Sequence, residues 1–91
     1  MSERFFVLHL DERDHHPTAE ARYEIQILDT EGRAEYSVYV DSGGRWLTLE
    51  ENESPPASSP RVPAAVLEAA MRQPKGQGDY VDVMGKSVPP F

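Results

Sequence analysis

The strongest structural signal in this 91-residue sequence is the segment ARYEIQILDTEGRAEYSVYV, residues 21–40. Tyr, Ile and Ile occupy alternate positions in its first half, and Tyr, Val and Val do so in its second half. This period of two is typical of strands that bury one face. The sequence DTEG at 29–32 contains the residue types of a tight turn. The segment therefore predicts an antiparallel hairpin with strands at about 21–28 and 33–40.

Three further strands are predicted around this hairpin. The segment at about 4–12 is apolar in both alternating phases, a pattern typical of a strand in the middle of a sheet. After the hairpin, DSGG at 41–44 predicts a second turn, and a short fourth strand follows at 45–49. Because these turns are too short for parallel crossovers, the strands form an antiparallel meander. A possible fifth strand lies at 79–84.

One helix is predicted, at about 63–73. It places Pro63 at the first helical position and ends before Pro74, because proline is tolerated at a helix start but not in its interior. The acidic, Pro- and Ser-rich segment 50–60 reads as a solvated loop, and 85–91 as an extended tail. The whole chain is thus predicted to be a single small α+β domain, an antiparallel meander sheet of four or five strands with one helix packed on one face.

Composition and charge exclude several classes of function. The net charge is −7, and no basic stripe is available to displace counterions from phosphates, so we expect no direct binding to nucleic acid. No apolar run reaches the ~20 residues of a spanning helix, and no signal sequence is recognisable, so we expect a soluble, cytoplasmic protein without membrane contact. The chain has no cysteine, which excludes disulfides and thiolate metal sites.

The three histidines are the candidate chemical groups. The tripeptide Asp14-His15-His16 offers metal-ligand types, but adjacent residues of an extended chain point apart, so we predict a solvated polar loop and no metal site. His9 lies on an apolar strand, where a partly buried histidine with one hydrogen-bond partner is the expected role. No nucleophile or acid is placed beside it, so no catalytic residue and no cofactor is predicted.

A single helix covers one face of a sheet, so the opposite face is the candidate binding surface. The strand phases place Tyr39, Leu28 and Arg22 there, and Trp46 as well if the neighbouring leucines join the core. Tyr, Trp and Arg are enriched at the centres of protein interfaces. The alternative is that the C-terminal tail folds back over this face.

These observations favour a non-catalytic binding module that forms a homodimer through the open sheet face. The first alternative is an acidic inhibitor or immunity-type protein, including a nucleic-acid mimic, that blocks a basic site on another protein. The second is a small-ligand binder or enzyme that uses His9, His15 or His16.

Overall fold

The computed structural model describes residues 4–14, 16, 18–47 and 62–89 of the chain. His15 and the predicted loop 50–60 lie outside the described residues. In chain order, the elements are β1 (Arg4–His9), β2 (Tyr23–Leu28), β3 (Ala34–Val40), α1 (Ala64–Met71) and β4 (Gly78–Asp82).

The four strands form one antiparallel sheet in the order β3-β2-β1-β4. The first three strands make the predicted meander, and β1 has a neighbour on each side, as its apolar character on both faces indicates. The last strand does not continue the meander beyond β3. Instead, α1 carries the chain across the sheet, and β4 pairs with β1 at the other edge. The predicted α+β fold with one helix on one face is confirmed.

The core lies between α1 and one face of the sheet. Its fully or almost fully buried side chains come from alternate positions of the strands, from one side of the helix and from Val62 just before it: Phe5, Val7, Tyr23, Ile25, Ile27, Val40, Val62, Val66, Ala69, Ala70 and Val81. The apolar face of the strands and the apolar stripe of the helix thus pack against each other, so both are buried. Val38 packs against this cluster but is only partly buried.

The hairpin strands contain one irregularity that the alternating pattern does not show. The β2–β3 register shifts between Ile27 and Leu28, so that Ala34 pairs with Leu28. Ala34 is exposed, although simple alternation places it on the core face with Val38 and Val40. A bulge adds a residue to one strand and changes the face on which the following side chains lie.

The helix begins one residue later than predicted. Pro63 is its N-cap, with an extended backbone (φ −62°, ψ 154°), and Ala64 is the first helical residue. The α-helix ends at Met71, and the last turn closes through the Gln73 N–H, which donates to the Ala70 carbonyl before Pro74.

The predicted fourth strand, 45–49, is reduced to a single bridge between Trp46 and Val40, and residues 48 and 49 lie outside the described part of the chain. The predicted strand 79–84 is β4, shifted towards the N-terminus. The predicted tail, 85–91, begins within a tight turn at residues 85 and 86, and from Ser87, which forms a bridge with Val81, it runs along the outer edge of β4.

The same five-residue turn occurs three times: DTEGR (29–33), DSGGR (41–45) and DVMGK (82–86). In each, Oδ1 of the aspartate accepts hydrogen bonds from the backbone N–H groups two and four residues later, at 2.8–3.1 Å. The glycine has a positive φ, 87°, 88° and 78° respectively, which other residues adopt only with strain. The third copy replaces the C-terminal end of the predicted strand 79–84.

Candidate functional site

The sheet face opposite α1 is the surface that the sequence predicts as a binding site. The cross-strand register places alternate residues of all four strands on it, and all of these except Leu28 are at least partly exposed. We call this surface the open face, and its members are Phe6, Leu8, Glu24, Gln26, Ser37, Tyr39 and Tyr80.

Three large side chains, on β1 and β4, form the apolar part of the open face. The Phe6 and Tyr80 rings lie opposite each other on β1 and β4, with centroids 4.9 Å apart and planes tilted by 53°. Leu8 continues the row along β1 and lies opposite Gly78. A Cβ on Gly78 would lie 2.7 Å from Cζ of Phe6 and 2.5 Å from the Val7 carbonyl oxygen. The glycine therefore leaves the space that the Phe6 ring fills.

The margin of the open face on β2 and β3 is polar. The Tyr39 hydroxyl donates to Oε2 of Glu24 at 3.2 Å, and Nε2 of Gln26 lies 3.5 Å from the same oxygen. Burial raises the pKa of Tyr39, and the nearby Glu24 carboxylate raises it further because a phenolate would face a second negative charge. The open face thus has an apolar side on β1 and β4 and a polar, hydrogen-bonded side on β2 and β3.

Two of the predicted contact residues lie away from the exposed part of the open face. The prediction that Trp46 lies on the open face is wrong: Trp46 bridges to Val40 and packs against the core on the helix side. After the turn at Gly44, Trp46 pairs with Val40, so Trp46 and not Leu47 lies on the same face of the sheet as Val40. Leu28 has the register of the open face but is only 5% exposed.

Arg22 lies at the end of the sheet rather than on the open face. Its Nη1 donates to the carbonyl oxygens of Ala19 and Ala21, both at 2.9 Å, which ties the side chain to its own loop. Tyr39 is thus the one of the four predicted contact residues that the structure places, partly exposed, on the open face.

Sequence reasoning missed the apolar part of the open face. The first strand is apolar in both phases, so its sequence does not decide whether Phe6 and Leu8 or Phe5 and Val7 lie on the open face, and no local pattern places Tyr80 there. The signal for Phe6 and Leu8 was present, because a strand with apolar residues in both phases has large side chains on the open face whichever phase is buried. Tyr80 requires the pairing of β4 with β1, a contact between residues far apart in sequence.

The tail lies beside the open face. The Val88 N–H donates to the Tyr80 carbonyl at 2.9 Å, which continues the antiparallel pairing begun by Ser87. This register puts Val88 opposite Tyr80, at the edge of the face. Ser87 also donates its hydroxyl to Asp79. As far as residue 89, the tail therefore extends the sheet sideways instead of crossing over Phe6 and Leu8.

A second concave region lies at the end of the sheet, between the loop after β1 and the turn before β4. This cleft has a volume of about 570 Å³ and is lined by His9, Leu10, Asp11, Glu12, His16, Ala19, Arg22 and Lys75. Its size suits a small ligand. However, it holds two lysine or arginine cations and two carboxylates, so its permanent charges balance and favour neither an anionic nor a cationic ligand.

Both described histidines line this cleft and are bound to backbone. Nδ1 of His9 lies 2.8 Å from the Gln73 carbonyl oxygen at the end of α1, and the His9 ring packs on Tyr23 with centroids 4.7 Å apart. His9 is therefore the partly buried, singly bonded histidine that the sequence predicts. His16 has a backbone carbonyl at each ring nitrogen.

No group of three or more His, Cys, Asp or Glu side chains in the described part of the chain converges to hold a metal ion. Asp11 is one of the two carboxylates that line the cleft, and backbone hydrogen bonding from Glu12 lowers its pKa, with a smaller contribution from Arg13. Its oxygens are thus engaged within their own turn.

Comparison of the chain with protein families, with curated proteins and with solved structures finds no significant match in any of the three. The described residues contain no helix long and apolar enough to cross a membrane.

Proposed function

We propose that this chain is a non-catalytic binding module that forms a homodimer by packing the open faces of two copies against each other. The observation that carries the proposal is the apolar group of Phe6, Leu8 and Tyr80, which stays partly exposed on β1 and β4, on the face of the sheet that α1 does not cover. Burial of such a group is favourable by roughly 25 cal/mol for each Å² removed from water.

The size of the open face predicts a weak dimer. Four strands about 4.8 Å apart and six residues long, at about 3.3 Å each, give a face of roughly 19 × 20 Å, or about 400 Å² per copy. Two copies then bury on the order of 800 Å² in projection, below the 1,200–2,000 Å² of most specific, stable interfaces. We therefore expect association in the micromolar range or weaker, visible only in concentrated solution.

A second copy also fits the chemistry of the face. Two sheets that pack face to face align their strands to within about 30° and interdigitate their side chains in a layer about 10 Å thick. Phe6 and Tyr80 are large enough to meet across such a layer, and Glu24, Gln26 and Tyr39 remain at its wet margin, where polar groups keep their hydrogen bonds.

The net charge of −7 on each copy opposes dimerisation, so added salt should strengthen it by screening the repulsion. The acidic-inhibitor alternative predicts the opposite, because attraction between this chain and a basic protein weakens with salt. The sign of the salt dependence therefore distinguishes the two functions.

The proposal is tested by sedimentation velocity over a wide range of concentrations, on wild type and on Phe6→Ala. Truncation of a central aromatic costs 2 kcal/mol or more at an interface, so the dimer should dissociate about thirtyfold more readily. Ser37→Ala, at the polar margin of the same face, is the matched control and should change association little.

Two results contradict the proposal. One is a wild-type chain that remains monomeric up to millimolar concentration, and the other is a Phe6→Ala variant that associates as tightly as wild type. Trp46→Phe separates folding from binding: because Trp46 packs against the core, the change should lower thermal stability and leave the association of folded chains unaltered.

A further inference from the structure

Residues 87–89, which we call the tail strand, extend the sheet beyond β4. Ser87 bridges to Val81, and the Val88 N–H donates to the Tyr80 carbonyl oxygen at 2.9 Å. Residues directly opposite each other in an antiparallel pair have their side chains on the same face of the sheet. Val88 therefore lies beside Tyr80 on the open face and extends its apolar group, whereas Ser87 lies on the helix side with Val81.

The turn at 82–86 fixes the start of the tail strand. Gly85 in this turn is buried, and a Cβ there would lie 2.5 Å from the Ala65 carbonyl oxygen in the first turn of α1. The turn thus packs closely against α1, and Oδ1 of Asp82 closes it through two backbone N–H groups. We therefore expect any movement of the tail strand to begin after residue 86.

Within the described residues, two hydrogen bonds hold the tail strand to β4. One is the bond from the Val88 N–H to Tyr80, and the other is donated by the Ser87 hydroxyl to Oδ2 of Asp79. Pro89 has no N–H to donate. Ser87 and Pro89 are exposed and Val88 is only partly buried, so little apolar burial opposes release. Because a hydrogen bond contributes little net stability, loss of one should shift the balance towards a released tail strand.

Asp79 is the acceptor that joins β4 to the tail strand. Its Oδ1 accepts the Tyr80 N–H at 2.9 Å, which orients the carboxylate, and its Oδ2 accepts the Ser87 hydroxyl. The register pairs Asp79 with the buried Val7, so this contact lies on the helix side of the sheet and not on the open face. A change at position 87 can therefore alter the docking of the tail strand without altering the surface that a second copy would touch.

We propose that the contact between Ser87 and Asp79 is a latch that docks the tail strand and thereby completes the open face for self-association, an inference that rests on the proposed dimer. With the latch closed, Val88 adds an apolar side chain next to Tyr80. Three residues at about 3.3 Å each, across a strand spacing of about 4.8 Å, add roughly 50 Å² to the face of each copy. The loss of this area from both copies should weaken association on the order of tenfold.

The test compares Ser87→Asp with Ser87→Asn in the full chain. The first change places a second carboxylate against Asp79, so like charges should detach the tail strand, whereas the amide introduced by the second change can still donate to Asp79. The readouts are hydrogen exchange of the Val88 amide by NMR and sedimentation velocity. Ser87→Asp should lose protection of this amide and associate about tenfold more weakly. Ser87→Asn should resemble wild type in both measurements.

Two further variants show whether the contact is direct. Ser87→Asp combined with Asp79→Asn removes one of the two opposed charges, so protection of the Val88 amide and association should both recover. Ser42→Asp adds the same charge in the exposed turn after β3, at the opposite edge of the sheet. It should leave the Val88 amide protected, and any loss of association in this variant measures the effect of net charge alone.

The exchange measurement requires no second copy, so it decides the latch separately from the proposed dimer. A Val88 amide that is unprotected in wild type, or equally protected in Ser87→Asp and Ser87→Asn, overturns the latch. A tail strand that detaches in Ser87→Asp while association stays at the level of Ser42→Asp overturns its contribution to the contact. A wild type that does not associate contradicts the proposed dimer and the role of Val88 in it, and the exchange result then stands for the latch alone.

Discussion

The two faces of the sheet are built from neighbouring residues of the same strands, yet they differ in what covers them. On β1, Phe5 and Val7 are completely buried, whereas Phe6 and Leu8, between and beside them, remain partly exposed. The side chains are alike in size and polarity. The difference arises because α1 supplies a second apolar layer on one side of the sheet. Burial in this fold is thus decided by which face receives the helix, not by the hydrophobicity of the individual residue.

The largest difference in the free energy of unfolding is expected between substitutions at two adjacent residues of β2 that lie on opposite faces. Ile25 is fully buried, so Ile25→Ala should lower the free energy of unfolding by about 2–5 kcal/mol through lost burial and a residual cavity. Gln26→Ala, on the open face, should change it by no more than about 0.5 kcal/mol. Denaturant unfolding of both variants measures the contrast. Equal losses would mean that the open face is packed as tightly as the core.

An intermediate loss of stability is expected at Gly78, where no side chain fits without a steric clash. Its added Cβ in Gly78→Ala would lie 2.5 Å from the Val7 carbonyl and 2.7 Å from the Phe6 ring, so both must move. We expect a loss of about 1–3 kcal/mol, the range for overpacking, together with weaker self-association because Phe6 is displaced. The measurements are denaturant unfolding and sedimentation.

The control for this change is Gly43→Ala. A Cβ at Gly43 meets only Oδ1 of Asp41, at an ordinary 3.6 Å, and this glycine does not have a positive φ. The substitution should be neutral or slightly stabilising, by up to about 0.4–1 kcal/mol, because it restricts the unfolded chain. If Gly43→Ala and Gly78→Ala destabilise equally, the space at Gly78 is not what keeps Phe6 in place.

Local patterns in the sequence predicted most of the elements. The alternation through Ile25 and Ile27 identified β2 and its buried face, and the prolines around α1 set its ends to within two residues. These features depend on neighbours in the chain. The turn at 41–45 shows where such reasoning fails. The geometry of this turn, with Gly44 at its fourth position, places Trp46 and not Leu47 on the same face as Val40. The alternation of residue types in the sequence does not show which of the two lies on that face.

The candidate site was harder to predict than the fold because its centre is assembled from distant segments. Tyr80 reaches Phe6 only after α1 has carried the chain to the far edge of the sheet. The third Asp-x-x-Gly-Lys turn, at 82–86, repeats the first two and could have been recognised from them. A turn at 82–86 places the end of the predicted strand 79–84 at Asp82, which is where β4 ends.

The smallest effect concerns the polar margin of the open face. Burial and the Glu24 carboxylate both raise the pKa of Tyr39, whose ordinary value is 10.0. The neutral hydroxyl donates to Glu24, so this bond persists below that value and is lost as the pH rises through the higher pKa of the folded state. In Glu24→Gln the pKa of Tyr39 should fall towards 10.0 but remain above it, because burial, the larger cause, is unchanged.

An absorbance or NMR titration of Tyr39 measures this shift, with Glu20→Gln as the control for loss of an exposed carboxylate elsewhere. The same titration also bears on the proposed dimer. Packing of a second copy on the open face removes more water from Tyr39, so its pKa should rise further as the protein concentration increases. The Phe6→Ala variant should lose this concentration dependence while retaining the shift due to Glu24. A Tyr39 pKa that is independent of concentration in a wild type shown to be dimeric would place the contact between copies elsewhere than the open face.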